Sequence, residues 1–227
     1  MLIMNLYPIT VVDNFYDDPD AVRKFALSQK YQFRHELKGE LPFVFPGSRT
    51  KDLSVINKPL FEKVAQKISA LFHNVENDRF RWSITTNFQS VSAEYGRGII
   101  HYDNAIFAAV LYLSPDAPLN SGTSLFKPNK SFDQERYDAS HKENHKNFLR
   151  GNVKMDASYH AMFDEIVRVN NVYNTLILYE GQHFHAANDF FGQNLKDARL
   201  TQVFFVNKID AQQHSSFPVW RSKQIKV

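Results

Sequence analysis

The chain has 227 residues, a length that suits a single domain, and its formal net charge of +3 comes from lysines and arginines that are scattered along it. This charge pattern requires no nucleic-acid partner. There is no cysteine, which excludes disulfides and thiolate ligands, so any metal site must be built from histidine and carboxylate. No apolar run reaches transmembrane length, and we therefore expect a cytoplasmic protein without a membrane partner.

The N-terminal region, residues 1–78, is predicted to form one strand and two helices that support a sheet. Its apolar start lacks the basic segment and the cleavage site of a signal peptide, and so predicts a strand over 7–13. The acidic, proline-containing sequence at 17–20 begins the first helix, and apolar residues recur with helical spacing over 57–72. A loop between the helices is indicated by its turn residues Gly39, Pro42 and Pro46-Gly47.

From Arg79 onward the hydrophobic pattern changes to that of strands. Short alternating or apolar segments predict strands at 79–95, 106–113, 123–126, 165–169, 173–179 and 199–206. Many short strands separated by turns, together with flanking helices, favour a mainly β fold: a double-stranded β-helix, or jelly roll, of the cupin-like type. The predicted core spans 79–207, and a tail without clear periodicity follows at 208–227.

A polar segment at 127–164 interrupts the strand pattern and is longer than an ordinary connection. We predict that it contains helical pieces and is an insert that forms a mobile lid on the substrate side. It carries His141, Glu143 and His145, but on a helix only the two histidines would share a face. We therefore interpret these three residues as a solvated polar surface rather than as a metal site.

A His-x-Asp pair, His101 and Asp103, stands directly before the apolar strand predicted at 106–113. Residues two apart on an extended backbone point to the same side, so the imidazole and the carboxylate can converge on one point beside a hydrophobic wall. This pair is two-thirds of the 2-His-1-carboxylate set that holds iron in non-haem oxygenases. Such a pair also arises by chance, and its meaning depends on the rest of the chain.

Two histidines, His183 and His185, are candidates for the third ligand. They are two residues apart, so strand alternation alone does not separate them. The small residues Ala186 and Ala187 follow His185 and leave room beside a metal, whereas His183 still lies in the turn after Tyr179. We therefore favour His185 as the ligand and expect His183 at the rim of the site.

The order of His101-x-Asp103, Gly122-Thr123, a later histidine and Arg199-x-Thr201 resembles that of the Fe(II)/2-oxoglutarate-dependent dioxygenases. The resemblance covers roughly residues 88–206. Within it, LYLSPDAPLNSGTSLFKP is similar to the strand-turn-strand of prolyl-4-hydroxylase-like members, although Ser121 stands where the family often has glycine. The N-terminal sequences VDNFYDDPDAVRKFALS and PGSRT are similar to uncharacterised members from phage and marine bacterial genomes.

The resemblance implies a double-stranded β-helix in which His101, Asp103 and His185 hold Fe(II). The segment FHAA at 184–187 looks like the family's metal-ligand segment, with His185 in the ligand place. A carboxylate at Asp103 fills the position that related halogenases leave open for halide, so hydroxylation is the expected reaction.

The resemblance also implies that 2-oxoglutarate is the cosubstrate. Two imidazoles and one carboxylate leave three positions of Fe(II) open, and the distal carboxylate of a bound 2-oxoacid then needs a cation. Arg199 would supply a bidentate guanidinium, and Thr201 a hydroxyl from the same face of the strand. The alternative for Arg199 is a surface ion pair with an acid such as Asp197. The pocket could be lined by Tyr112, Asn87 and Gln89, and Arg49 could either reach a substrate or be structural.

The expected reaction is the hydroxylation by O₂ of a peptidyl proline, an amino acid or another small substrate, with release of succinate and CO₂ and with ascorbate in support. The alternative is a non-catalytic protein, or a cupin-like metal protein that does not use 2-oxoglutarate.

Overall fold

A computed structural model describes residues 9–37, 44–74, 76 and 78–211. The first residues of the predicted N-terminal strand, the turn residues Gly39 and Pro42, and the tail from 212 onward lie outside this range. Within it, the strands are β1 (Ile9–Val12), β2 (Gln32–Phe33), β3 (Ser48–Arg49), β4 (Phe80–Val91), β5 (Phe107–Tyr112), β6 (Thr123–Pro128), β7 (Phe163–Val169), β8 (Leu176–Glu180), β9 (Phe184–Ala187) and β10 (Arg199–Ala211). The α-helices are α1 (Pro19–Leu27), α2 (Leu53–Ile56), α3 (Lys58–Ser69) and α4 (Gln134–Leu149).

The strands form two antiparallel sheets that pack face to face. Seven strands make the large sheet in the order β1-β8-β5-β10-β4-β3-β2, and three make the small sheet in the order β7-β6-β9. Side chains of β5 and β8, among them Tyr112 and Tyr179, pack against Leu125 of β6 and against the valines of β7 in one cluster between the sheets. This double-sheet arrangement with flanking helices confirms the predicted jelly roll.

The outer face of the large sheet is covered by α1 and α3, as the sequence predicts. Val22 and Ala26 of α1 and Val64 and Ile68 of α3 lie in one buried cluster with β-strand residues that include Phe88, Leu111, Leu200 and Phe204. Each of these helices begins at a side-chain cap: the Asp18 carboxylate accepts a hydrogen bond from Ala21 N at 2.9 Å, and the Asn57 side chain accepts one from Leu60 N at 3.1 Å.

Strand alternation determines what faces the space between the sheets. On β10, Leu200, Phe204 and Val206 belong to the cluster under the helices. Arg199, Thr201, Val203 and Phe205 therefore face the small sheet. The predicted site residues of β10, Arg199 and Thr201, are thus on the inner face.

Several element boundaries differ from the prediction, and three short elements were not predicted. β10 continues to Ala211, whereas the predicted core ended at 207. β8 begins at Leu176 rather than at 173, because Asn174 adopts a left-handed backbone with φ of 62° and its amide bonds the backbone of Tyr16. The short elements β2, β3 and α2 were not predicted, since two to four residues show no readable period.

The polar segment at 127–164 is more integrated than a surface insert. Its first two residues still belong to β6, and α4 follows. Tyr137 and Tyr159 pack in a buried cluster with Ile100, the residue before the predicted ligand His101. Whether the segment moves as a lid stays a prediction. No helix of the described part of the chain combines the length and apolarity needed to cross a membrane.

Candidate metal centre

The side chains of His101, Asp103 and His185 converge at one end of the space between the sheets. One nitrogen or oxygen of each lies within 4.8 Å of the corresponding atoms of the other two. His101 Nε2 is 3.7 Å from Asp103 Oδ1, and His185 Nε2 is 3.3 Å from Asp103 Oδ2. These three residues are the only such group of histidine and carboxylate side chains in the described part of the chain.

Backbone hydrogen bonds bring the two ligand segments together. His101 and His185 form an antiparallel bridge in which each backbone N–H donates to the carbonyl oxygen of the other, at 3.0 and 2.8 Å. Residues paired in this way project their side chains to the same face. Asp103 N donates to Gly181 O at 2.7 Å, and this approach requires glycine because a Cβ at Gly181 would lie 2.3 Å from Ala105 O.

Second hydrogen bonds set the tautomer of both imidazoles. His101 Nδ1 lies 2.9 Å from Ile99 O, and His185 Nδ1 lies 2.8 Å from His183 O. A carbonyl oxygen only accepts hydrogen bonds, so each Nδ1 carries the proton and each Nε2 keeps its lone pair. Both Nε2 atoms that face Asp103 are therefore prepared to bind a metal ion.

The electrostatics keep the imidazole of His101 neutral and the carboxylate ionised. Burial and the neighbouring imidazole of His185 lower the pKa of His101 to about 4. Burial would raise the pKa of Asp103, but His185, His101 and the Arg49 guanidinium hold it at about 2. One side of the site remains open, since the side chain of His101 is 34% exposed.

His183 lies outside this group. Its Nε2 is 3.3 Å from Glu180 Oε2, in a turn closed by the hydrogen bond from His183 N to Glu180 O. His183 contributes to the site through its backbone, because its carbonyl accepts the proton of His185 Nδ1. The structure thus brings His185, and not His183, to the predicted pair.

A second group of polar residues lies farther along the inner face. Arg49, Gln89, Thr201 and Tyr112 form one row across four neighbouring strands, because each pairs in register with the next. The amide of Gln89 donates to Pro46 O at 2.9 Å, so this side chain supports the segment that carries Arg49. Asn87 plays the same part through its hydrogen bond to Thr50 O at 2.9 Å.

Arg199 is a buried cation that has no acidic partner in the part of the chain that the structure describes. It is 5% exposed, its Nε donates to Ser121 O at 2.9 Å, and its carbon Cζ lies 5.6 Å from the centre of the Tyr112 ring. Among the described residues, no carboxylate lies within 4 Å of the guanidinium, and burial lowers the pKa of Arg199. The alternative of a surface ion pair with Asp197 is wrong, since Asp197 accepts hydrogen bonds from its own loop at Gln193 N and Asn194 N.

Two hydroxyl groups stand near this cation. Thr201 is 1% exposed, and its Oγ1 has no hydrogen-bond partner among the described residues. The hydroxyl of Tyr112 donates to Thr123 Oγ1 at 3.0 Å, and burial raises the pKa of this phenol. A buried guanidinium and a buried hydroxyl without a partner are what a carboxylate needs for binding.

Tyr179 is a site residue that the sequence analysis missed. Its ring centre lies 4.7 Å from that of His185. Burial and the charge of Asp103 raise the pKa of Tyr179 well above its usual value, while the charge of Arg199 acts in the opposite sense. Tyr179 thus lies between the metal-ligand group and the buried cation. Alternation within LILYE could have indicated it, because Tyr179 shares a face with Ile177 on the inner side of β8.

The polar-surface interpretation of the three residues on α4 is correct for Glu143 and His145, which are exposed, and wrong for His141. His141 Nε2 lies 2.9 Å from Ile100 O, and the Tyr159 hydroxyl donates to the same carbonyl at 3.0 Å. The helix therefore supports the segment that carries His101.

The chain has the fold of the Fe(II)/2-oxoglutarate-dependent oxygenases. It aligns over 88% of its length with 83% of HygX from Streptomyces hygroscopicus, which was crystallised with nickel and 2-oxoglutarate, at 13% identity and a TM-score of 0.52. It aligns over the same shares with a prolyl hydroxylase from Trichoplax adhaerens in complex with a hypoxia inducible factor peptide fragment, at 12% identity and a TM-score of 0.52.

The chain belongs to a family described as a family of unknown function, DUF6445, whose model matches residues 2–206. No curated protein sequence matches this chain.

Proposed function

We propose that this protein is an Fe(II)- and 2-oxoglutarate-dependent oxygenase that hydroxylates a small molecule or a peptide. The observation that carries the proposal is a pair of complementary groups between the same two sheets. One is the converging set of His101, Asp103 and His185, and the other is the buried Arg199, which has no acidic partner among the described residues. The first suits a divalent metal ion, and the second suits a distal carboxylate.

The ligand set fits Fe(II) on its own chemistry. Two neutral imidazoles and one carboxylate hold non-haem iron and leave positions open for a 2-oxoacid and O₂. When bound, Fe(II) would supply the redox chemistry that couples the decarboxylation of 2-oxoglutarate to succinate with the insertion of an oxygen atom into a substrate C–H bond.

The chain's own residues would bind and orient these groups. The Nδ1–H bonds of His101 and His185 hold the rings so that both Nε2 atoms face the carboxylate of Asp103. At the other end, Arg199 would bind the distal carboxylate of 2-oxoglutarate, and the hydroxyl of Thr201 would donate a hydrogen bond to the same carboxylate. The aromatic rings of Tyr112 and Tyr179 are buried in one cluster between the sheets, and they would exclude water from the space between the two ends.

We propose either a small molecule or a peptide as the substrate, because proteins of similar fold have been crystallised with one or the other. HygX was also crystallised with hygromycin B, and the Trichoplax prolyl hydroxylase with a peptide. The partly exposed side of the metal centre, at His101, is where a substrate would approach.

The test starts with binding. Purified protein is dialysed against Fe(II) without oxygen, and 2-oxoglutarate is then titrated calorimetrically. We expect one Fe(II) per chain, and 2-oxoglutarate binding that depends on the metal. With O₂ and ascorbate present, succinate is then measured with and without candidate amino acids and peptides. Metal binding without any 2-oxoglutarate binding would instead favour the cupin-like alternative, and no metal binding would favour a non-catalytic protein.

Asp103→Ala and a matched control assign the activity to the site. Asp103→Ala should abolish succinate formation without unfolding the protein, because Asp103 lies outside the hydrophobic core. Asp116→Asn is the control, since Asp116 is exposed in the turn after β5. Full succinate formation by folded Asp103→Ala protein would overturn the assignment.

A further inference from the structure

Arg49 lies on the inner face near the metal centre. Its Nη2 donates to Gln89 Oε1 at 3.1 Å, and its carbon Cζ lies 4.4 Å from the Phe45 ring centre and 5.5 Å from that of Phe205. Its Nε is buried and has no hydrogen-bond partner among the described residues. Buried polar atoms normally have a partner, so this nitrogen needs an explanation.

The guanidinium of Arg49 extends toward the metal centre rather than toward Arg199. Arg49 starts in the row of Gln89 and Thr201, but its Cζ lies near the ring of Phe205, four residues farther along β10. Phe205 pairs with Ala108, and Ala108 pairs with Tyr179, the residue whose ring lies against His185. Arg199 is two residues from Thr201 in the opposite direction.

Asp103 does not neutralise Arg49 by direct contact. The carboxylate oxygens of Asp103 contact the imidazoles of His101 and His185. The two charges are still close enough to interact, because the charge of Asp103 partly offsets the burial that lowers the pKa of Arg49 to about 10. At neutral pH Arg49 is therefore a cation beside the metal ligands.

Among the described residues, the charges around the site leave Arg49 without a counterpart. If the proposed function holds, the two charges of a divalent metal ion offset the two carboxylates of 2-oxoglutarate, and Arg199 offsets Asp103. The positive charge of Arg49 then remains, in a partly buried position where an unpaired charge is unfavourable. A carboxylate on the substrate would restore neutrality and bind the free Nε–H.

We infer that Arg49 is a substrate-binding residue and that the substrate carries a carboxylate, held by the guanidinium while its reacting carbon lies over the metal centre. This inference rests on the proposed function and narrows the substrate class. The carboxylate belongs either to a free acid, such as an amino acid, or to an acidic side chain, and both sources present the same planar anion to the guanidinium.

The test measures binding without turnover. Protein loaded with Zn(II) is first titrated with N-oxalylglycine, a 2-oxoglutarate analogue, and this step tests the proposed function alone. Saturation-transfer NMR then measures the binding of each L-amino acid as the free acid and as its carboxamide. Aspartate and glutamate that are blocked as N-acetyl amides test whether a side-chain carboxylate is bound instead. We expect at least one acid to bind and its amide to bind at least tenfold more weakly.

Variants assign the effect to Arg49. Arg49→Gln keeps a polar side chain that can form hydrogen bonds and removes the charge. It should weaken the binding of the acid about 10- to 100-fold, as expected for the loss of charge-assisted hydrogen bonds. Arg49→Lys should restore part of this affinity. The affinity for N-oxalylglycine should stay within about twofold in both variants, a result that a merely structural Arg49 would not give.

Three results would overturn the inference. The first is a panel in which no acid binds better than its amide, and the second is unchanged affinity for the best acid in Arg49→Gln. The third is the loss of N-oxalylglycine binding in Arg49→Gln, which would place Arg49 in the cosubstrate site. If the wild-type protein does not bind N-oxalylglycine, the proposed function fails, and the acid and amide panel on the zinc-loaded protein still decides the role of Arg49.

Discussion

Replacement of Arg199 by methionine separates binding from stability. In the structure, Arg199 is buried and makes hydrogen bonds to the carbonyl of Ser121 and, at 3.4 Å, to that of Gly122, but it has no acidic partner among the described residues. The change to methionine keeps most of the apolar stem and removes the charge. It therefore tests whether the cation serves the protein itself or a ligand.

The expected loss of 2-oxoglutarate affinity is large. A bidentate guanidinium–carboxylate pair contains two charge-assisted hydrogen bonds of roughly 1.5–3 kcal/mol each. The loss of both is about 3–6 kcal/mol, which corresponds to roughly 10²- to 10⁴-fold in the dissociation constant.

The expected effect on stability is small. Two carbonyl groups lose a donor, at about 1 kcal/mol each, but the desolvation of a buried charge is also relieved. We expect the free energy of unfolding of the ligand-free protein to change by less than about 1.5 kcal/mol.

Calorimetry on metal-loaded protein measures the affinity, and urea unfolding measures the stability. Arg168→Met is the matched control, because Arg168 lies on β7 and forms an exposed ion pair with Glu165. A variant that binds 2-oxoglutarate normally but loses more than about 3 kcal/mol of stability would refute the reasoning and make Arg199 a structural residue.

Three further predictions concern the metal centre and its support. His185→Ala should lose stoichiometric Fe(II) while His183→Ala keeps it, as measured by iron content at matched protein concentration; the opposite pattern would move the ligand to His183. Tyr159→Phe removes one donor to Ile100 O and should lower the free energy of unfolding by about 1 kcal/mol and the Fe(II) affinity several-fold; unchanged Fe(II) affinity would remove its positioning role. Amide hydrogen exchange in 127–164 should slow when Zn(II) and N-oxalylglycine are added, and uniformly slow exchange in the ligand-free protein would contradict a mobile segment.

The fold was predictable because strand and helix periods are long enough to read. The alternation over β4 and β10 and the helical spacing of α3 extend over many residues, so the face of each side chain follows directly. The same reasoning identified His101 and Asp103 as a pair on one side of an extended segment. Alternation alone did not separate His183 from His185; the small residues after His185 favoured it, and the bridge between His101 and His185 brings it to the pair.

The sequence left open whether Arg49 reaches a substrate or is structural, and the surroundings of its side chain were not predictable, for a physical reason. Arg49 lies on β3, which has two residues and therefore no readable alternation. Its environment comes from its pairing with Gln89 and from the ring of Phe205, which is far away in the sequence. The support of His101 by His141 was missed for the same reason, since the polar sequence of α4 indicates exposure and the contact depends on where the helix lies.

The register of β10 connects these observations. Arg199 and Thr201 face the small sheet because Thr201 pairs with Gln89 on one side and with Tyr112 on the other. A slip of one residue would turn Arg199 and Thr201 toward the apolar cluster under α1 and α3, where a cation is strongly unfavourable. Leu200 and Phe204 would then face the space between the sheets. The same alternation that buries the core therefore also holds Arg199 on the inner face, on the opposite side of the Thr201 row from the guanidinium of Arg49.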